Sequence, residues 1–281
     1  SPHWWFRTPT RPSVVFLDTR TRRGVSGAAH DRHNGRSRRR APYPSGGRPD
    51  RPPRLLEPEL KAELFHYLLR SDVAEETDPL LLVAPAPVIG ATLVEALQRR
   101  ISEILGPEAY DFEAWSSNPR SLVDVLDLVA RLGRPVNVIL SGDVHYAYVA
   151  EATVVGNRSG DRRPRRLLQL TSSATKNRSM TGTVAELQAA GPFERWWWTR
   201  GRTGPVESWD VDDVHGEDAR QRAEHSGPPD FELEWSYVRH RRAHGNVLVP
   251  QNNVGYCTIW NRRAGRNQIF TMEGGELRLL S

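Results

Sequence analysis

Apolar residues in this chain follow two rhythms, short unbroken runs and stretches spaced by three and four. Ser13-Val-Val-Phe-Leu-Asp-Thr19 is a short run ending in an acid, which predicts a buried strand leading into a loop. Pro79-Leu-Leu-Leu-Val-Ala-Pro85 is continuous, too short for a helix and bounded by prolines, as expected of a strand buried on both faces. Val136 to Leu140 repeats that pattern, and Tyr146 to Val155 and Arg166 to Thr171 predict two more strands. Helical spacing places Leu60, Leu64, Tyr67 and Leu68 on one face of a helix from Glu57 to about Arg70. The same spacing links Leu93, Val94, Leu97, Ile101 and Ile104. A third helix opens at Pro119, carries Leu122, Val123, Leu126 and Val129, and stops before Gly133. Strands alternating with helices, then strands in succession, predict an α/β domain with a mixed sheet.

The pattern thins beyond Ser173. Trp196, Trp197 and Trp198 stand together, and the stretch from Asp210 to Asp230 is polar and aperiodic. Gly255 to Trp260 and Gln268 to Met272 flank Asn261-Arg-Arg-Ala-Gly265 and predict a hairpin, with a further strand over Leu277 to Leu280. The expected organisation is a domain body over 1–180 and a small β-rich region over 181–281 that completes it.

Composition changes this picture in one place. The chain has 281 residues and a net charge of +5, yet Arg20 to Arg54 alone contains eleven arginines against Asp31 and Asp50. That segment, rich also in Gly, Pro and Ser, lacks the aliphatic residues needed to order itself and is expected to be a flexible loop over 20–54. The remainder of the chain is net acidic, so the charge gives no general case for a polyanionic partner. Nucleic-acid binding through the arginine-rich loop is the alternative function it leaves open. The single cysteine, Cys257, excludes an intramolecular disulfide and a thiolate metal cluster. No run of apolar residues is long enough to span a membrane. The opening Ser-Pro-His-Trp-Trp has neither a methionine nor the order of a signal peptide. It reads as the middle of a longer chain, so an export signal would lie upstream, and a cytoplasmic location follows only if nothing does.

Candidate chemistry gathers at Ser141-Gly142-Asp143-Val144-His145, where an apolar strand ends in a carboxylate and an imidazole, both good ligands for divalent metals. A glycine at 142 suits the tight turn that would expose them. Spacing alone leaves two readings open: a ligand pair, or a turn-capping aspartate beside an ordinary, partly buried histidine. Trp209-Asp-Val-Asp-Asp-Val-His215 also collects carboxylates and an imidazole, but it lacks the glycine and terminal glutamate of a calcium loop and is read as solvated. Arg36 to Arg40 and Arg239 to His244 can meet phosphates, without the interleaved aromatics of a nucleic-acid module.

Val136 to Glu151, with its Gly142-Asp-Val-His145 turn, resembles the last conserved block of the PhoD-like (alkaline phosphatase D type) metallophosphoesterases of the calcineurin-like superfamily. Further matches follow in order. Val14 to Arg23 resembles the family's Leu-Asp-Thr-Arg segment, Leu82 to Val88 its Ser-Pro-Ala-Pro-Val strand, and Asp111 to Ser116 an acid-and-tryptophan block. Leu170 to Ser173 and Asn252 to Gly255 are similar to later blocks.

The resemblance implies part of a calcineurin-like αββα sandwich that hydrolyses phosphate mono- or diesters at a two-metal centre of Fe, Ca, Mn or Zn. It implies His145 as metal ligand and Asp143 as ligand or orienting partner, both in catalytic positions, with Asp18 reaching the metals. Arg20, Asn177 and Arg178 would face the phosphate ester. In the superfamily the Asp-x-His, Gly-Asp-x-x-Asp and Gly-Asn-His-Asp/Glu motifs precede the Leu-Asp-Thr-Arg segment, and none stands before Val14 here. One aspartate and one histidine do not make two metal sites. The chain is therefore expected to be inactive or weak alone, and to self-associate through sheet edges and apolar faces that the missing portion would cover.

Overall fold

The computed structural model describes residues 5–8, 14–17, 19, 55, 62–64, 66, 68, 79–91, 115, 119–132, 134, 136–144, 146–156, 163–172, 201–202, 231–238, 247–249, 253–260, 263–273 and 276–279. Strands β1 (Trp5–Thr8), β2 (Val14–Leu17) and β3 (Leu80–Ala84) are followed by helix α1 (Pro119–Leu132) and β4 (Val136–Ser141). Then come β5 (Tyr148–Gly156), β6 (Pro164–Thr171), β7 (Gly201–Arg202) and β8 (Phe231–Tyr237). β9 (Asn253–Trp260), β10 (Arg263–Glu273) and β11 (Glu276–Leu279) close the order.

The first eight strands form one sheet in the order β1-β2-β3-β4-β6-β5-β8-β7. β2, β3, β4 and β6 run parallel to one another, whereas β1, β5, β7 and β8 pair antiparallel to their neighbours. This is the mixed α/β sheet that the sequence predicts. The last three strands form a separate sheet in the order β11-β10-β9.

The alternation of side chains along each strand gives the large sheet two apolar faces. Leu80, Leu82, Ile139, Leu167, Tyr148, Ala150 and Val154 join Leu122, Val125, Leu126, Val129 and Leu132 of α1 in the principal core. Each fully buried leucine there contributes roughly 1.5–3 kcal/mol. Leu81, Val138, Val149, Leu168 and Leu170 line the other face, where Cys257 of β9 packs. The successive layers are thus helix, large sheet and small sheet.

Several elements refine the sequence reading. In α1 the buried stripe runs through Leu122, Val125, Leu126, Val129 and Leu132, while Val123 is only half-buried. Leu64 and Leu68 are buried and helical, as their spacing predicts. The carboxy-terminal hairpin pairs β9 with β10 up to Trp260↔Arg263, with an irregularity between Ala264 and Asn267, so pairing extends into residues expected to form the turn. β8 lies just beyond the stretch read as aperiodic: Phe231 and Leu233 are buried and Glu232 and Glu234 exposed. It pairs with β5, placing residues beyond 181 in the large sheet as well as the small one.

The helix expected over Leu93 to Ile104, the arginine-rich loop 20–54, the Trp196 to Trp198 cluster, Trp209 to His215 and Arg239 to His244 lie outside the described residues. No helix among the described residues is long and apolar enough to cross a membrane.

Candidate functional site at the carboxy-terminal edge of the sheet

Parallel strands end at a common edge, and the residues just past those ends are where an open α/β sheet can build a site. Here Ala84, Ser141, Thr171 and Tyr148 form one row across β3, β4, β6 and β5. The next residues make the contacts that shape the edge. The Gly142 amide donates to the Pro85 carbonyl at 3.3 Å, and the Ser172 amide to the Ser141 carbonyl at 3.0 Å. The hydroxyls of Ser141 and Thr171 lie 2.8 Å apart. On the antiparallel side, Ala147 and Val249 exchange two backbone hydrogen bonds of 2.8 Å.

The small sheet reaches the same edge. The Ser172 hydroxyl donates to Asn253 Oδ1 at 2.8 Å and accepts from the Gly255 amide at 2.7 Å. Asn253 is buried, although it begins a strand of the other sheet. Four segments far apart in sequence, at 85, 142–143, 171–172 and 253–255, therefore meet within one hydrogen-bonded cluster.

A second cluster anchors the segment after β3. Buried Gln169 accepts from the Ile89 amide at 2.7 Å and donates to the Ile89 carbonyl at 2.8 Å. The Tyr148 hydroxyl donates to that carbonyl at 2.5 Å, and the Tyr237 hydroxyl donates to the Gly90 carbonyl at 2.6 Å. Gln169 also donates to Tyr148 Oη at 3.1 Å and Thr171 Oγ1 at 3.2 Å. The two clusters share Thr171.

Asp143 is exposed and has φ 70°, in the left-handed region that favours glycine, asparagine and aspartate. This corrects the role expected of Gly142. The left-handed residue is Asp143, while Gly142 is small because a Cβ there would lie 3.3 Å from the Ser172 carbonyl oxygen. Asp143 is the one predicted site residue among those described; His145, Asp18, Arg20, Asn177 and Arg178 lie outside them. Trp115, from the acid-and-tryptophan block, is fully buried in the principal core.

No group of three or more His, Cys, Asp or Glu residues among the described residues is placed to hold a metal. Among the described residues Asp143 alone represents the expected ligands, and one exposed carboxylate does not by itself make a two-metal centre. Ser172, Asn253 and Gln169 were not singled out as site residues from the sequence. The signal for Gln169 is a polar residue inside the apolar run of β6, and that for Ser172 and Asn253 is their place in short blocks that resemble those of one family.

No protein-family model matches the chain, and no curated protein sequence does. A solved structure described as "Structure of PhoD" is similar at 14% identity and a TM-score of 0.36, over 99% of this chain and 44% of that one. The chain thus spans less than half the length of the structure it matches. A likeness at this level carries no argument about fold or chemistry.

Proposed function

We propose that the chain forms the carboxy-terminal, sheet-edge portion of a PhoD-like metallophosphoesterase, whose chemistry is hydrolysis of phosphate mono- or diesters by a metal-activated water. The observation that carries the reading is the meeting of four family-like sequence blocks at one edge. Pro85, Gly142, Ser172 and Asn253 belong to different blocks, and hydrogen bonds or a close backbone approach join their surroundings. The layering of helix, large sheet and small sheet supports a calcineurin-like sandwich, with residues 181–281 completing the domain.

In this reading Asp143 and His145 belong to the metal shell and Asp18 lies nearby, with Arg20, Asn177 and Arg178 on the phosphate side. The ions, Fe, Ca, Mn or Zn, would need further ligands from the absent motifs, so the chain alone is inactive or very weak. Polyanion binding through residues 20–54, which lie outside the described residues, is the competing function.

The test is hydrolysis of an aryl phosphodiester by the purified chain with each of the four metals, beside a version extended upstream to carry Asp-x-His and Gly-Asn-His motifs. The chain alone should not exceed buffer containing the same ion. The extended protein should show chelator-sensitive turnover that Asp143→Asn lowers, and an extended protein without such turnover would sink the reading.

A further inference from the structure

Ser172 occupies the junction between the two sheets and the Gly142–Asp143 turn. Its hydroxyl uses both capacities on the small sheet, donating to Asn253 and accepting from Gly255. Its amide is held by Ser141, and its carbonyl oxygen lies 3.3 Å from where a Cβ on Gly142 would stand. From the other side, a Cβ on Gly255 would come within 3.0 Å of Ser172 Cβ. The backbone of residue 172 is thus pressed between β9 and the turn with little slack.

We infer that Ser172 is a positioning residue that makes docking of the carboxy-terminal sheet and ordering of the Gly142–Asp143 turn a single event. Lifting β9 frees Ser172 from Asn253 and Gly255, and the turn loses the surface against which Gly142 is seated. The coupling is reciprocal: a ligand that seats on the turn must also tighten β9. Its functional meaning rests on the hydrolase reading, because only there is the turn part of a reacting site. The coupling itself is a property of this chain.

Hydrogen exchange of the full chain, without added ions, tests it. The Gly255 amide reports the latch, the Gly142 amide reports the turn through its bond to Pro85, and the Ile89 amide, held by Gln169, serves with α1 as control. Ser172→Ala should speed exchange at Gly255 and Gly142 together by about tenfold and leave the controls unchanged, the size expected when hydrogen bonds of this kind govern a local opening. Gly255→Ala, which pushes on Ser172 from β9, should do the same.

Faster exchange at Gly255 with unchanged Gly142 would overturn the proposal. If Ser172→Ala loosens α1 as well, Asn253→Ala and Asn253→Asp decide. Only the alanine should open the turn, since aspartate keeps an acceptor for the Ser172 hydroxyl, and equal behaviour of the two would overturn the coupling. Exchange is independent of turnover, so loss of the hydrolase reading and loss of the coupling are separate outcomes.

Discussion

Gln169 and Ile89, eighty positions apart in the chain, are joined by two hydrogen bonds in which the side-chain amide of one pairs with the backbone of the other. Both ends are buried, so the arrangement satisfies backbone polar groups of the segment that follows β3. Removing the amide leaves a buried N–H without its acceptor, at a cost of about 1–3 kcal/mol, and the lost side-chain volume adds to it. Gln169→Ala should therefore lower unfolding stability by about 2–4 kcal/mol, read from urea midpoints at constant m.

Tyr148→Phe probes the same carbonyl more gently. Ile89 O accepts from both Tyr148 and Gln169, so losing the phenol leaves that acceptor satisfied. The expected cost is about 1 kcal/mol, well below that of Gln169→Ala. A Tyr148→Phe cost equal to or above that of Gln169→Ala would show that the phenol, and not the amide, holds the segment.

At Asp143 backbone and chemistry can be separated. A positive φ penalises a Cβ without a local polar group, by about 1 kcal/mol, and asparagine tolerates it as aspartate does. Asp143→Ala should lower stability by about that amount and Asp143→Asn should leave it nearly unchanged. Thermal unfolding of the two variants checks this, and it makes Asn the proper substitution for testing the carboxylate in any turnover assay.

How much of this was legible before the structure differs by element. β3, β4, β6 and α1 announce themselves because burial on one or both faces demands unbroken or helically spaced apolar residues. β8 was legible too, in the alternation of Phe231, Glu232, Leu233 and Glu234, but the polar stretch before it masked the signal. The Asp143 turn showed in sequence as an apolar strand ending in Gly-Asp. Which of its two residues takes the left-handed conformation did not, because glycine and aspartate both tolerate it and nothing local decides between them. The latch from Ser172 to Asn253 and Gly255 was hidden for the same kind of reason: it joins residues 81 and 83 positions apart, and nothing local in either strand specifies which sheet will dock there.

Cys257 gives a pH-dependent prediction. Its side chain packs half-buried on Leu81, Val138, Val149, Leu168 and Leu170, and burial pushes the thiol above its ordinary value because the thiolate is poorly solvated there. Between the unfolded and folded values the native state holds the proton that the unfolded chain releases. Stability from this group is therefore complete below about pH 8.5 and declines as pH rises through the thiol range. The difference in urea midpoint between the parent chain and Cys257→Ala should shrink from pH 7.5 to pH 10, since the alanine variant lacks that titration while sharing all others. Alkylation of the native thiol at pH 8 should also be slower than in urea. A midpoint difference constant across this range, together with native alkylation as fast as in the unfolded chain, would mean that the small sheet does not shield Cys257 on the large one.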